Sequence, residues 1–305
     1  MSEYPTLPRP ARDERVEALL TGAVDLHCHS GPAVMPRILD HHDQMLEAEA
    51  AGFRAVVFKD HFYLGTAHAM MLEKVFPDLK VKLYSGIALN NASGGINPHA
   101  VHHAVKLGAK IVWMPTLSAA NHIRKTNTEA RGFPKVAGAP DPIPLSVLDH
   151  NGKLTDDTRH VLDIIAAGDI ILSGGHLAID EQFPLFEEAR ARGVRKMMVN
   201  HPTYLIGCTD EDLRQLVSMG VMIEHSICMF IEGRAQKHDA AHAVHLIDVV
   251  GVDNTVFCSD LGLLGSAMPV DGYRTLIGKL LDLQVSEASI RTMFGDNAAR
   301  LLDLN

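Results

Sequence analysis

Short apolar runs rich in β-forming residues alternate with amphipathic helical patterns along almost the whole chain of 305 residues. Eight of these runs predict strands, namely "AVDLH" (23–27), "AVVFK" (55–59), "VKLYSGI" (81–87), "KIVWMP" (110–115), "DIILSG" (169–174), "KMMVN" (196–200), "VMIEH" (221–225) and "TVFCS" (255–259). The runs are continuous rather than alternating, which is typical of parallel strands that are covered by helices on both faces. The alternation therefore restricts the chain to α/β folds with a parallel sheet.

The segments between these runs carry signals for helix ends. For example, "NPHAVHHAVKLGA" (97–109) and "TDDTRHVLDIIAAG" (155–168) begin at Asn or Thr, which cap exposed N–H groups, and they end at or near Gly. Eight strand–helix units predict a (β/α)8 TIM barrel, with one domain over residues 1–305. A doubly wound open sheet is the alternative, but no GxGxxG turn follows the first predicted strand.

One segment interrupts the alternation. Residues 116–153 follow the fourth predicted strand and are irregular and rich in Pro, Gly and polar residues. Loops after barrel strands lie on the C-terminal face, where active sites form, so we interpret this segment as a lid-like insertion. Near its end, the pair Asn151-Gly152 is suited to a tight hairpin turn.

Composition narrows the classes of function. The formal net charge is -9 and no basic block offsets it, which argues against nucleic-acid or membrane-surface binding. The first twenty residues are polar and charged, so we expect neither a signal peptide nor an anchor there. The 4 cysteines lack CxxC spacing, as expected for a cytoplasmic protein with reduced thiols. We therefore expect a small-molecule substrate, and a homo-oligomer is left open.

The stretch "VDLHCH" (24–29) places two histidines at the end of the first predicted strand. Side chains alternate along a strand, so His27 and His29 point to the same side and Cys28 points away. Two imidazoles at a barrel mouth can reach one metal ion, but zinc usually needs three or four such ligands. The remaining ligands have to come from other strands.

Further candidates follow later strands, namely His176 after the fifth, His201 after the sixth and Asp260 after the eighth. Singly, such a His is commonly a hydrogen-bonded loop residue, and such an Asp is commonly a helix N-cap. As a set they are more specific, because the carboxyl ends of barrel strands meet at one face. We therefore predict that all of these side chains bind metal.

These motifs, together with "FGDNAARLLDL" (294–304), resemble the amidohydrolase superfamily, in particular its compact, phosphotriesterase-like members without an added β-sandwich domain. The resemblance implies a metal-dependent barrel with these residues in the metal-binding and catalytic positions: His27, His29, His176, His201 and Asp260. It also implies that Asp260 takes a proton from the attacking water and returns it to the leaving group.

One position departs from the family pattern. Two-metal members usually carry a bridging carboxylated Lys, or a Glu, at the end of strand 4, whereas this strand ends "IVWMPT". Lys59, at the end of the second predicted strand, is the substitute that we predict as a metal ligand in carbamylated form. The alternatives are a cationic anchor for a substrate carboxylate and a salt bridge with Asp60.

Other polar residues near the same strand ends are weaker candidates for contacting substrate or supporting the ligands: Asp25, Arg37, His61, Arg124, Glu224 and His225. We expect Asp25 to brace an imidazole N–H. Arg37 and Arg124 are cations that suit a carboxylate-bearing substrate.

Neutral histidines with one carboxylate suit one or two Zn²⁺ ions, with Mn²⁺ or another divalent ion as alternatives. Such a site predicts hydrolysis of an amide, ester or lactone in a small polar molecule. A decarboxylase or hydratase on the same scaffold, a PHP-type phosphoesterase and a non-catalytic metal-binding barrel remain alternatives. The sequence does not identify the substrate.

Overall fold

The computed structural model describes residues 7–127, 136 and 138–304. Eight strands coincide with the eight predicted runs to within three residues at either end: β1 Val24–Cys28, β2 Ala55–Phe58, β3 Lys82–Ala88, β4 Ile111–Trp113, β5 Ile171–Ser173, β6 Met197–Asn200, β7 Val221–Ser226 and β8 Thr255–Cys258. They belong to one sheet whose strand order is that of the chain. The pairs β1–β2, β3–β4, β4–β5 and β5–β6 are parallel. The architecture is the predicted (β/α)8 barrel.

Helices separate the strands. In the described part of the chain they are α1 Glu14–Leu20, α2 His41–Ala50, α3 Thr66–Val75, α4 Pro98–Leu107, α5 Ala120–Thr126, α6 Asp156–Gly168, α7 Ile179–Ala191, α8 Asp210–Ser218, α9 Ala240–Val250, α10 Pro269–Asp282, α11 Glu287–Arg291 and α12 Asn297–Leu301. As predicted, Asn97 and Thr155 cap α4 and α6 by accepting bonds from backbone N–H groups. No helix in the described ranges is both long and apolar enough to cross a membrane.

The chain divides into two compact units. The first unit takes its described residues from Met1–Lys59, His68–Tyr84 and Glu224–Asn305, and the second takes them from Asp60–Ala67 and Ser85–Ile223. Strands β1, β2 and β8 belong to the first unit, and β4, β5 and β6 belong to the second. That residues 1–305 form a single domain stays a prediction.

The described part of the predicted insertion, residues 116–127, 136 and 138–153, contains regular structure that the sequence did not predict. It contains the helix α5, and a short antiparallel bridge joins Leu148 to Leu154. The turn between them closes at Asn151-Gly152, where the Asp149 N–H donates to the Lys153 carbonyl oxygen at 2.7 Å. Residues 128–135 and 137 lie outside the described residues, so the interpretation of this segment as a lid stays a prediction.

Within the first unit, the chain leaving β8 packs directly on the chain leaving β1. The Asp260 N–H donates to the His27 carbonyl oxygen at 2.7 Å, and the His29 N–H donates to the Leu261 carbonyl oxygen at 2.9 Å. Gly262 follows with φ +123°, and a Cβ on this residue would overlap the carbonyl oxygen of His29. Only glycine permits this approach, because both the backbone conformation and the space exclude a side chain.

We predict that Gly262→Ala lowers the free energy of unfolding by about 3 kcal/mol or more, since it combines backbone strain with a backbone clash. Gly193→Ala is the matched control, because Gly193 also has positive φ but nothing lies within 4 Å of its Cβ position. That control should cost about 1–2 kcal/mol. Urea unfolding measures both, and equal losses would contradict the close approach.

Candidate metal centre

A cluster in the first unit is built on the carboxyl ends of β1 and β8. The side chains of His27 and His29 leave β1 on the same side, as the alternation predicts. The Asp260 Oδ1 lies 3.1 Å from the Nε2 atom of His27 and 3.1 Å from the Nε2 atom of His29. Both imidazoles are buried, while the Asp260 side chain retains 19% exposure. Three predicted ligands therefore meet at one point.

The other ring nitrogens of these imidazoles have buried partners. His29 Nδ1 lies 3.0 Å from the Lys59 carbonyl oxygen, which can only accept, so Nδ1 carries the proton and Nε2 is the acceptor nitrogen of the neutral ring. His27 Nδ1 donates to Glu224 Oε2 at 3.0 Å in the same way. Nδ1–H bonds to a carbonyl and a carboxylate are the usual support for histidines that ligate metal through Nε2.

The carboxylate that braces an imidazole is Glu224, which we had predicted only as a weak candidate. Its Oε1 accepts from the Ser226 hydroxyl at 2.7 Å, so both oxygens are engaged. Asp25 differs from the expectation, because its Oδ1 accepts from the backbone N–H groups of His27 and Ser259, each at 3.0 Å. Asp25 thus joins the backbones of β1 and β8, and burial raises the pKa of its carboxyl group.

Lys59 lies inside this cluster with 1% exposure. Its Nζ is 2.8 Å from His27 Nε2. Burying an ammonium group is costly unless it is paired or hydrogen-bonded, so its placement beside this imidazole suits a functional rather than a packing role. That Lys59 binds metal stays a prediction.

The pKa values of the two histidines are shifted in opposite directions. Burial lowers the pKa of His27, but Asp260 and Glu224 outweigh it and raise the value to about 9. Burial lowers the pKa of His29 to about 3, although its contact with Asp260 opposes the shift. His29 is therefore neutral near pH 7, and its Nε2 lone pair faces a carboxylate oxygen.

A second cluster consists of histidines in the second unit. The ring centroids of His176 and His201 are 5.0 Å apart, and His176 stacks on His122 at 4.9 Å. The Nδ1 atoms of His176 and His122 are 2.9 Å apart, so one ring donates to the other. His61 lies further off, with its centroid 6.4 Å from that of His176. The predicted residues His176, His201 and His61 are thus neighbours within this unit.

Amide side chains hold this second cluster in place. Asn90 donates to the His61 carbonyl oxygen at 3.0 Å, and His61 Nδ1 lies 2.9 Å from the Thr116 hydroxyl oxygen. Asn121 donates to the His176 carbonyl oxygen at 3.1 Å. Arg124 donates to Asn121 Oδ1 at 2.9 Å, so its contact in the structure is with a residue that positions His176.

Backbone strain marks one predicted ligand in each unit. Asp260 has φ 47° and His201 has φ 28°, both in the left-handed region that L-residues rarely adopt. Such strain costs about 1–3 kcal/mol and is concentrated at functional sites. In both residues it occurs directly after a strand, where the side chain has to turn toward its neighbours.

Arg37 lies in the loop after β1. It lines a cavity of about 330 Å³ together with other residues of that loop, including Asp40. Its charge adds to the burial that lowers the pKa of His29, which places the guanidinium near the first cluster. This position suits the predicted contact with an anionic group.

Two further residues that no sequence motif indicates, His122 and Cys228, contact the predicted site residues. His122 lies in the irregular segment after β4, where no strand end indicates a side-chain direction. Cys228, in the short 3₁₀ turn Ile227–Met229 after β7, donates its thiol to Asp260 Oδ2 at 3.7 Å. Burial, together with Asp260 and Glu224, raises the pKa of this thiol well above its usual range, so it stays protonated. The only available signal was its place just beyond a strand.

The first cluster fits a divalent ion. Zinc at about 2.0–2.1 Å from each ligand atom, with tetrahedral angles, separates ligand atoms by roughly 3.3 Å. The 3.1 Å separations between Asp260 Oδ1 and the two Nε2 atoms are close to this value. Among the described His, Cys, Asp and Glu side chains, His27, His29 and Asp260 form a group whose ligand atoms all lie within 4.8 Å.

One protein family matches the chain. The model of a family described as a family of unknown function (DUF6282) matches residues 22–224. The chain belongs to this DUF6282 family. The matched range includes His27, His29, Lys59 and Glu224, and it ends before Asp260. Among curated proteins, none matches this DUF6282 sequence.

Solved structures share the fold of this DUF6282 protein. An amidohydrolase from Pseudomonas aeruginosa has a TM-score of 0.62 at 12% identity, and 95% of this chain and 97% of that one are covered. The probable dipeptidase PvdM from the same organism has a TM-score of 0.64 at 10% identity, with 95% and 97% covered. A 2,6-dihydroxybenzoate decarboxylase has a TM-score of 0.52 at 12% identity, with 93% and 100% covered. The DUF6282 chain therefore has the amidohydrolase-superfamily fold.

His225 was predicted beside the ligands, but its ring packs against the rings of Phe257 at 5.6 Å and Phe230 at 6.4 Å. The alternation along β7 explains this, because its neighbour Glu224 takes the side that faces His27. Burial lowers the pKa of His225 from 6.5 to about 4, although Glu224 opposes the shift. His225 is thus a neutral residue of an aromatic cluster.

This setting predicts a pH dependence of stability. Because the folded pKa of His225 lies below the unfolded one, the unfolded chain binds more protons as the pH falls from 6.5 to about 4. The free energy of unfolding should therefore decrease over this range, and less steeply in His225→Phe. Urea titrations at several pH values, with a chelator present, measure the slope. His160→Gln, at an exposed site on α6, should keep the wild-type slope, and an unchanged slope in His225→Phe would contradict the assignment.

Proposed function

We propose that this protein is a metal-dependent hydrolase that cleaves an amide, ester or lactone in a small polar molecule. The observation that carries the proposal is the meeting of two imidazole Nε2 atoms with one carboxylate oxygen at 3.1 Å. The Nδ1 bond of His29 leaves its Nε2 as an acceptor, and an ionised carboxylate is also an acceptor. Two acceptors that face each other at 3.1 Å favour a cation between them, and a divalent ion supplies it.

The donor types favour Zn²⁺, with Mn²⁺ or another divalent ion as alternatives. Such an ion, when bound, supplies the Lewis acidity that brings the pKa of water from about 15.7 toward 7. His27 and His29 hold it through Nε2, and Glu224 keeps His27 in the required tautomer. Asp260 is the proton carrier, because its side chain is the most exposed of the three that meet at this point, at 19%. It accepts the proton of the attacking water and gives it to the leaving group.

His176 and His201 remain proposed ligands on the strength of their positions after β5 and β6. Their rings are neighbours and their backbones are fixed, which supports a shared role. Lys59 is the proposed ligand in carbamylated form, which would replace a buried cation by an anion with two oxygen donors. Its burial among ligand side chains supports this assignment.

An anionic substrate agrees with the charges near the first cluster. A divalent ion with Arg37 and Lys59 outweighs the carboxylates of Asp260, Glu224 and Asp40, which lines the loop cavity with Arg37, by one positive charge. Carbamylation of Lys59 would remove this excess, but Arg37 would still lie beside the loop cavity. We therefore propose a substrate that bears a carboxylate.

The four free cysteines support a reducing compartment such as the cytoplasm.

Decarboxylation is the second candidate, because a 2,6-dihydroxybenzoate decarboxylase shares the fold. The two reactions are distinguished by their products, since decarboxylation releases carbon dioxide and hydrolysis consumes water. A phosphoesterase would hydrolyse members of a panel of phosphate esters. Inertness of metal-loaded protein on all panels would favour a non-catalytic metal-binding barrel.

We predict that protein purified without chelator contains about one to two equivalents of zinc or a similar ion, as elemental analysis would show. His27→Ala should lose metal, because it removes a ligand. Asp260→Asn should retain metal under saturating zinc but lose at least about 10²-fold in turnover, because it cannot carry the proton. His160→Gln is the surface control. Full activity of the metal-free protein would overturn the proposal.

The role of Lys59 has its own test. Carbon-13 NMR of metal-loaded protein in labelled bicarbonate should show a carbamate signal that is missing in Lys59→Met, and this variant should bind fewer metal equivalents. Lys74→Met, at an exposed site on α3, is the matched control and should retain both properties. If the wild type shows no carbamate signal, and Lys59→Met binds as many metal equivalents as the wild type, Lys59 is instead a cationic anchor.

A further inference from the structure

We infer that Cys228 is a positioning residue that holds the Asp260 carboxylate in its metal-binding orientation. The inference rests on the proposed metal centre and concerns a residue that neither the sequence motifs nor the family resemblance assigns. It follows from the different surroundings of the two carboxylate oxygens.

The first step is the placement of Cys228. Its backbone N–H donates to the Ser259 carbonyl oxygen at 3.2 Å, which ties the turn after β7 to the residue before Asp260. The thiol then lies 3.7 Å from Asp260 Oδ2, while Oδ1 faces the two imidazoles. The carboxylate is thus held at both oxygens, by the two imidazoles at Oδ1 and by the thiol at Oδ2.

The second step is the chemistry of the contact. Cys228 is only 5% exposed, and a neutral thiol can donate but is a poor metal ligand. An S–H donor is weak in water, but a bond to an ionised acceptor gains strength where solvent is excluded. Asp260 also has a strained backbone, with φ 47°, so its side-chain direction needs outside support. The thiol supplies that support.

Three variants test the inference through the dissociation constant of Zn²⁺, measured by chelator competition. Cys228→Ala removes the donor and should weaken zinc binding about tenfold. This is the lower end of the range expected when a residue that hydrogen-bonds to a metal ligand is removed. Cys228→Ser keeps a donor and should stay close to wild type. Cys258→Ala removes another buried thiol, on β8, and should leave zinc binding unchanged, which controls for the loss of packing.

The outcomes separate the inference from the proposed function. If His27→Ala weakens zinc binding but Cys228→Ala does not, the inference fails and the metal centre stands. If His27→Ala also binds zinc like wild type, the metal centre itself fails. If Cys228→Ser is as weak as Cys228→Ala, and Co²⁺-loaded wild type shows a thiolate-to-cobalt absorption band that Cys228→Ser lacks, then Cys228 is a ligand and its positioning role is refuted.

Discussion

The contact between one carboxylate oxygen and two imidazole nitrogens is the interaction on which the candidate centre depends. Asp260 Oδ1 meets the Nε2 atoms of His27 and His29 at equal distances of 3.1 Å. The other polar atom of each group also has a partner. His27 Nδ1 bonds to Glu224, His29 Nδ1 bonds to a backbone carbonyl oxygen, and Asp260 Oδ2 accepts from Cys228. The side chains therefore cannot turn to other partners without leaving a buried polar atom unsatisfied.

This contact exists because the backbones beneath it are joined. Asp25 accepts from amides on both β1 and β8, and the Asp260 N–H bonds to the His27 carbonyl oxygen. Gly262 lets the chain after β8 lie against His29. Backbone hydrogen bonds thus set the positions of these side chains, which is how a barrel can hold a reactive group on rigid elements.

The fold and the chemistry rest on different kinds of support. Membership of the DUF6282 family and the amidohydrolase-superfamily fold come from matches over most of the chain. Proteins of this fold include an amidohydrolase and a decarboxylase, so the fold does not select a reaction. The proposed hydrolysis rests instead on the tautomer of His29 and on the exposure of Asp260, which are properties of this chain.

Local periodicity was sufficient to predict the eight strands and the common side of His27 and His29. The partner of each side chain depends on contacts between distant parts of the chain, which periodicity does not encode. Glu224 rather than Asp25 braces an imidazole, and it lies 197 residues from His27. His225 turned away because the exact face of each residue on β7 depends on strand register, which a short apolar run does not define. His122 lies on α5 and Cys228 lies in a 3₁₀ turn, and the long-range contacts that position these two elements leave no periodic trace in a sequence.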